Sequence, residues 1–253
     1  MMTTATIDWS LIQLLANRAA LAYDQHTVSD AATDAQALVL AEVINGEPAI
    51  IVAFRGSQEP QDFIQDAKFT RTVLSTTDDI VAEVHQGFLE DFEAINVAVV
   101  AAVRNLLATQ PTARIYITGH SLGGGIAILA GLEFSRQGLP VENVITFGQP
   151  RVGNYAFAAI YWGALGDRTF HVINANDPVP LFPPLLLGYR DEGNEIFLPR
   201  GGSRSSGGYA VNPSISFTLF NDLAGILDSW RHCQLAFLPN HFIKAYQEKL
   251  ALL

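Results

Sequence analysis

Cysteine is almost missing. The chain of 253 residues has one, Cys233, which rules out an intrachain disulfide and leaves too few thiolates for a metal cluster. Charge is sparse as well: charged residues make up 16% of the chain, below the roughly 25% of an ordinary soluble domain. Basic residues are the scarcer sign, 15 Lys and Arg against 25 Asp and Glu. The resulting net charge of −10 disfavours nucleic acid or an anionic membrane surface as partner. No uninterrupted apolar run approaches the ~20 residues of a spanning helix, so stable membrane insertion is not expected. The N-terminal stretch lacks a basic region, and Gln13, Asn17 and Arg18 interrupt its apolar residues, unlike a leader peptide. With one cysteine and no leader, the expected location is cytoplasmic, unless a leader had been removed.

What is present is core material. Apolar residues make up 49% of the chain, and the length suits one large domain, taken here as residues 1–253. Leu11, Leu14, Leu15, Ala19 and Ala22 fall on one helical stripe and predict a helix over 8–24. Two apolar runs, 37–44 and 49–54, flank Asn45-Gly46 and read as strands about a turn. A long helical pattern over 89–109 stops before Pro111. Strands at 114–118, 143–147 and 168–175 then alternate with helices at 122–136 and 154–163. Such alternation predicts an α/β fold, a central mostly parallel sheet flanked by helices. Farther on, GNEIFL reads as an edge strand, 199–210 as a Gly/Ser-rich loop, and 214–228 and 239–251 as helices.

The chemistry concentrates in YITGHSLGGGIAILAG, residues 116–131. Gly119-His120-Ser121-Leu122-Gly123 is a G-x-S-x-G sequence between a strand and a helix, the setting of a nucleophile elbow. Glycine is a poor helix former. Here the small residues let strand and helix approach, while the helix N-terminus favours negative charge beside the serine. A serine nucleophile needs a base, and the base an orienting acid. In this fold type both follow the serine in the chain, acid before histidine, which leaves His171, His232 and His241. His171 falls mid-strand, His232 near a helix end, and His241 between a Pro-Asn turn and a helix; His241 is favoured and His232 stays open. Asp177 follows the strand 168–175 directly, at the carboxyl edge where ligands bind in open α/β sheets. Asp167 lies at the wrong end, Asp191 in a more remote hairpin, and Asp222 and Asp228 on a helix. Oxyanion donors are expected from Leu122 and from the loop after AIIVAF, where Ser57 stands.

Together FRGS (54–57), DFIQDAKF (62–69), VHQGF (84–88), ITGHSLGG (117–124), TFGQPRVGN (146–154), NDPVP (176–180) and NHFIKAY (240–246) resemble the class 3 lipases, the fungal-type group of the α/β-hydrolase superfamily. The resemblance implies an α/β-hydrolase fold with a short lid over about 58–66, Ser121, Asp177 and His241 as the triad, and Ser57 and Leu122 as oxyanion donors. His85 and Arg151 are expected to be structural. Where the family often has Tyr-x-His-x-Gly-x-Glu after the acid, this chain has Tyr189, Asp191, Gly193 and Glu195. The implied activity is carboxylic ester hydrolysis through an acyl-enzyme, on neutral acylglycerol-type or short-to-medium-chain esters. No cofactor or metal is called for, and the partners are the ester or lipid substrate and a transient lipid–water interface. The stretch 58–66 is mostly polar, with Phe63 and Ile64 as its apolar residues, which implies weak interfacial activation. A feruloyl-esterase-like aryl esterase is the alternative enzyme, and a catalytically idle binding scaffold the alternative outside catalysis.

Overall fold

A computed structural model describes residues 8–57, 69–77, 80–174, 177–198, 211–212 and 239–253. The expected lid, the loop 199–210, the helix 214–228, His232 and Cys233 all lie outside the described residues. In chain order the helices are α1 (Trp9–Leu21), α2 (Gln86–Thr109), α3 (Leu122–Arg136), α4 (Tyr155–Leu165) and α5 (Ile243–Leu250). The strands are β1 (Val28–Ser29), β2 (Gln36–Ile44), β3 (Glu47–Phe54), β4 (Arg71–Thr77), β5 (Ile80–His85), β6 (Arg114–His120), β7 (Val141–Phe147), β8 (Gly153–Asn154), β9 (Thr169–Asn174), β10 (Tyr189–Arg190), β11 (Asn194–Leu198) and β12 (Val211–Asn212).

Eight strands form one sheet in the order β1-β2-β3-β6-β7-β9-β11-β12. The run from β3 to β11 is parallel throughout, as the alternation predicts. On its margins β2 pairs antiparallel to β3 through a two-residue turn. Asn45 and Gly46 both have positive φ there, 53° and 85°, the conformation of the tight hairpin that Asn-Gly favours. The two-residue side-chain period sorts the core into two layers. Ile50, Val52, Phe54, Ile115, Ile117 and Val144 face α2, α3 and α4. Ala49, Ile51, Ile145, Phe147 and Val172 face α1 and α5. The serine motif, at the carboxyl end of the inner strand β6, is therefore clamped between two helical layers.

Helix α2 is long and apolar enough to cross a membrane by length and composition. It buries a stripe of Phe88, Phe92, Ile95, Val99 and Val103 against the sheet, and its other face exposes Glu90, Glu93 and Arg104. That is the pattern of an amphipathic core-covering helix. Two features depart from the sequence reading. GNEIFL, expected at an edge, is the inner strand β11, parallel to β9 and covered on its far side by β12. A second, four-stranded sheet, β10-β8-β5-β4, was not foreseen at all. Its strands are short or polar, and Val73, Ile80 and Val81 are exposed, so they carry little of the apolar alternation that marks a strand.

Candidate active site

The serine elbow is built by contact. Ser121 has φ 56° and ψ −130°, a region that costs a non-glycine residue about 1–3 kcal/mol. A Cβ on Gly119 would fall 2.1 Å from the Gly123 carbonyl oxygen, and one on Gly123 would fall 2.2 Å from that of Phe54. The two motif glycines are therefore required by each other and by β3. Gly124 and Gly125 abut Gln149 in the loop after β7 and Phe88 of α2. The Ser121 N–H bonds the Phe147 carbonyl at 3.0 Å, pinning the elbow to the end of β7. Ser121 is 1% exposed.

Asp177 and His241 meet beside this elbow. His241 Nδ1 lies 2.8 Å from Asp177 Oδ2 and 3.0 Å from Oδ1. The Val179 N–H donates to Oδ1 at 2.9 Å, and the Tyr246 hydroxyl donates to Oδ2 at 2.5 Å. The tyrosine oxygen accepts in turn from the Asn174 N–H at 3.1 Å. Asn174 also ties the base loop, its Nδ2 donating to the Asn240 carbonyl at 2.9 Å. Burial, and then the Asp177 charge, hold the Tyr246 phenol well above its usual range, so it remains a donor. His241 Nε2, the nitrogen a serine would address, is buried without a hydrogen-bond partner among the described residues. Gly148, the residue after Phe147, turns its α-carbon toward this cluster: a Cβ there would lie 2.6 Å from Asp177 Oδ2 and 3.0 Å from His241 Nδ1. Asp177 and His241 thus pair beside Gly148 at the end of β7, and Ser121, directly after β6, is bonded to that same strand end.

Tyr246 and Gly148 escaped the sequence reading. Tyr246 stands five positions after His241 in NHFIKAY, and no spacing rule links such a pair. Its role can be measured. Tyr246→Phe should lower kcat about tenfold with KM unchanged, because a hydrogen bond to a charged group contributes ~1.5–3 kcal/mol. A variant with unaltered kcat would show that the carboxylate does not need this donor.

Of the expected oxyanion residues, Leu122 opens α3 and Ser57 lies in the loop after β3. The loop passes close to Ser121, since a Cβ on Gly56 would come within 3.3 Å of Ser121 Cβ. His85 and Arg151, expected to be structural, make local packing and loop contacts. His85 caps α2, its Nδ1 accepting from Phe88 N–H at 3.4 Å. Arg151 is fully buried; its Nε donates to Asp191 at 2.7 Å, and Nη1 to the carbonyls of Leu181 and Pro183. Asp191, read as remote from the acid, therefore pins the loop that follows it. Among the described residues no group of His, Cys, Asp or Glu is placed to hold a metal ion.

Three further buried histidines, His85, His120 and His171, bear on how stability changes with pH. Burial pushes His85 and His171 down to about 4, and His120 well below its ordinary value. Between there and ~6.5 the unfolded chain binds protons that the folded one does not, so these groups withdraw stability as pH falls through that window. Asp91, raised to about 6 mainly by burial, and Glu192, raised well above its ordinary value, act in the opposite sense. A single substitution isolates one contribution. From pH 7 to pH 5, wild type should lose about 2 kcal/mol more unfolding free energy than His171→Leu. Denaturant titration at the two pH values measures the difference, and equal losses would refute a neutral buried His171.

A mostly parallel sheet, a strained serine at the end of an inner strand and a buried His–Asp pair beside it are the architecture of an α/β-hydrolase. The family model for lipase (class 3) matches residues 51–187, more than half of the chain, and the chain belongs to the class 3 lipase family. Among its relatives is the secreted mono- and diacylglycerol lipase 1 of Fusarium solani, 36% identical over 159 residues, which cover 62% of this chain and 46% of that protein. The lipase of Rhizomucor miehei is 32% identical, with 61% and 43% covered. The chain thus spans somewhat less than half the length of these relatives. Among solved structures, the lipase from Rhizopus microsporus var. chinensis superposes with a TM-score of 0.66 at 27% identity, covering 77% of this chain and 76% of that one. The expected cytoplasmic location does not stand, because the Fusarium and Penicillium relatives are named as secreted lipases. A single cysteine excludes an intrachain disulfide but no compartment, since oxidising surroundings permit disulfides without requiring them.

Proposed function

We propose that this chain hydrolyses carboxylic esters, with Ser121 as nucleophile, His241 as base, Asp177 as its orienting acid, and the N–H groups of Leu122 and Ser57 as oxyanion donors. The observation that carries the reading is the strained Ser121 turn at the sheet edge that also holds the buried His241–Asp177 pair. His241 Nε2 takes the hydroxyl proton as Oγ attacks the carbonyl carbon. The developing oxyanion is held by the two N–H groups, each such donor being worth ~10²–10³ in kcat. Asp177 fixes Nδ1–H and offsets the imidazolium charge. Collapse of the intermediate breaks the ester C–O bond, and His241 passes the proton to the departing alkoxide. A water then attacks the acyl-enzyme while His241 takes its proton, and His241 returns that proton to Ser121 Oγ as the acyl C–Oγ bond breaks and the acid leaves.

The substrates proposed are neutral acylglycerol-type or short-to-medium-chain esters. Supporting this are the family membership and the names of the Fusarium and Penicillium relatives, which act on mono- and diacylglycerols. The net charge of −10 favours neutral over anionic interfaces. We take residues 1–253 as a single domain, since both apolar layers pack on one sheet. The test is initial rates on p-nitrophenyl esters from acetate to palmitate, beside fluorophosphonate labelling of Ser121. A rate maximum at short or medium chain length with stoichiometric labelling is expected. Faster turnover of a feruloyl ester would move the reading to aryl esters, and neither turnover nor labelling would leave an idle scaffold.

A further inference from the structure

A chain of contacts runs past Ser121 from the loop after β3 to the base loop, with hydrogen bonds from Tyr23 onward. The Gly56 backbone abuts the Tyr23 oxygen. The Tyr23 hydroxyl lies 2.8 Å from His120 Nδ1, and His120 Nε2 lies 2.5 Å from the His241 carbonyl oxygen. The rings of His120 and His241 are packed with centroids 4.6 Å apart. There is no slack at the other end either: a Cβ on Gly56 would fall 2.3 Å from the Tyr23 oxygen and 2.5 Å from the His120 carbonyl oxygen.

The direction of both hydrogen bonds is set by the carbonyl. A carbonyl oxygen only accepts, so His120 Nε2 carries the proton that faces His241. Its Nδ1 then holds a lone pair and accepts from the Tyr23 hydroxyl. The opposite tautomer would set the Nε2 lone pair against the carbonyl oxygen of His241. Burial, with the neighbouring His241 second, keeps His120 neutral, so it adds no positive charge beside His241 when that ring becomes imidazolium. Burial likewise keeps the proton on Tyr23.

We propose that Tyr23 is a positioning residue which, through His120, sets the oxyanion loop and the base loop against each other across Ser121. This rests on the reading of Ser121, His241 and Asp177 as an ester-cleaving triad. Tyr23 lies just past the end of α1, far from the G-x-S-x-G motif in the chain, yet its hydroxyl joins the two loops that must be in register for the tetrahedral intermediate.

Tyr23→Phe keeps the ring and removes the hydroxyl. On a soluble short-chain ester its kcat should fall ~10–100-fold with KM within about twofold, since small misplacements of catalytic groups act on the transition state. Fluorophosphonate labelling of Ser121 should slow in parallel, because the phosphonyl oxygen occupies the same oxyanion site. His120→Gln, which retains an amide N–H for the His241 carbonyl and an amide oxygen for Tyr23, should keep more activity than His120→Leu. The imidazole ¹⁵N spectrum of wild type should show His120 as the Nε2–H tautomer at neutral pH. An active wild type beside an unimpaired Tyr23→Phe, a loss that only tracks the unfolded fraction in near-UV circular dichroism, equal Gln and Leu variants, or an Nδ1–H tautomer would each overturn the positioning role alone. A wild type that neither labels nor turns over any ester would sink the triad reading and the positioning role together.

Discussion

Ser121→Gly is expected to stop turnover and to raise the melting temperature. Removing a serine nucleophile costs on the order of 10⁴–10⁶ in kcat, the residue being what binding and the oxyanion donors supply alone. The gain in stability comes from the same atom's backbone. At φ 56° and ψ −130° a side chain stores about 1–3 kcal/mol of strain, and glycine adopts that conformation freely. Glycine also loosens the unfolded chain, which takes back ~0.4–1 kcal/mol. The net gain of about 1 kcal/mol corresponds to ~2–4 °C for a chain of this size. Ser121→Ala removes the hydroxyl but leaves the strain, so it should be equally inactive with an unchanged melting temperature. Scanning calorimetry of the three proteins decides the matter. A glycine variant no more stable than the alanine one would mean that the turn is not strained.

That strained turn was the most legible part of the molecule, because its signal is local. A G-x-S-x-G between an apolar strand and an apolar helix specifies contacts within a few residues, and the hard approaches of Gly119 to Gly123 and of Gly123 to β3 are its physical content. The order of strands and helices was legible for a related reason. Runs such as AIIVAF and NVITF are apolar on both faces, as strands of a parallel sheet covered on two sides must be. Asp177 could be chosen over Asp167 on strand polarity, since only the carboxyl end of β9 faces the elbow.

What stayed hidden depends on long-range closure. The strand GNEIFL looked like an edge because its flanks, a Gly-Asn pair and a Pro-Arg pair, read as turns; its place between β9 and β12 follows from a return path no local pattern records. The small sheet of β4, β5, β8 and β10 combines two-residue strands with half-exposed ones, and neither leaves a periodic trace. Tyr23 and Tyr246 look like ordinary half-apolar residues on helical segments. Each matters because its hydroxyl reaches a group about 70 or more positions away, 97 for Tyr23 to His120 and 69 for Tyr246 to Asp177. Polar atoms recruited across the fold are the part of a catalytic centre that composition and spacing do not encode.

Gly148→Ala should cripple the site without dismantling the fold. Gly148 has φ +56°, and a Cβ there would fall 2.6 Å from Asp177 Oδ2, 2.9 Å from the Tyr246 hydroxyl and 3.0 Å from His241 Nδ1. Asp177, Tyr246 and His241 are all buried and bonded to one another, so the methyl group displaces the pair rather than a free side chain. A shift of a few tenths of an ångström in the Nδ1–carboxylate contact turns the imidazole away from Ser121, and kcat should drop ~10²–10³-fold while KM changes little. Backbone strain alone would cost about 1–2 kcal/mol of stability, and a control separates the two effects. Gly138 also has positive φ, +69°, but a Cβ there meets nothing within 4 Å. Gly138→Ala should therefore lose comparable stability and keep full activity. If the two alanine variants lose stability and activity alike, Gly148 serves only the turn after β7. If Gly148→Ala alone loses turnover at matched folded fraction, the space it leaves open is what lets acid, base and tyrosine meet.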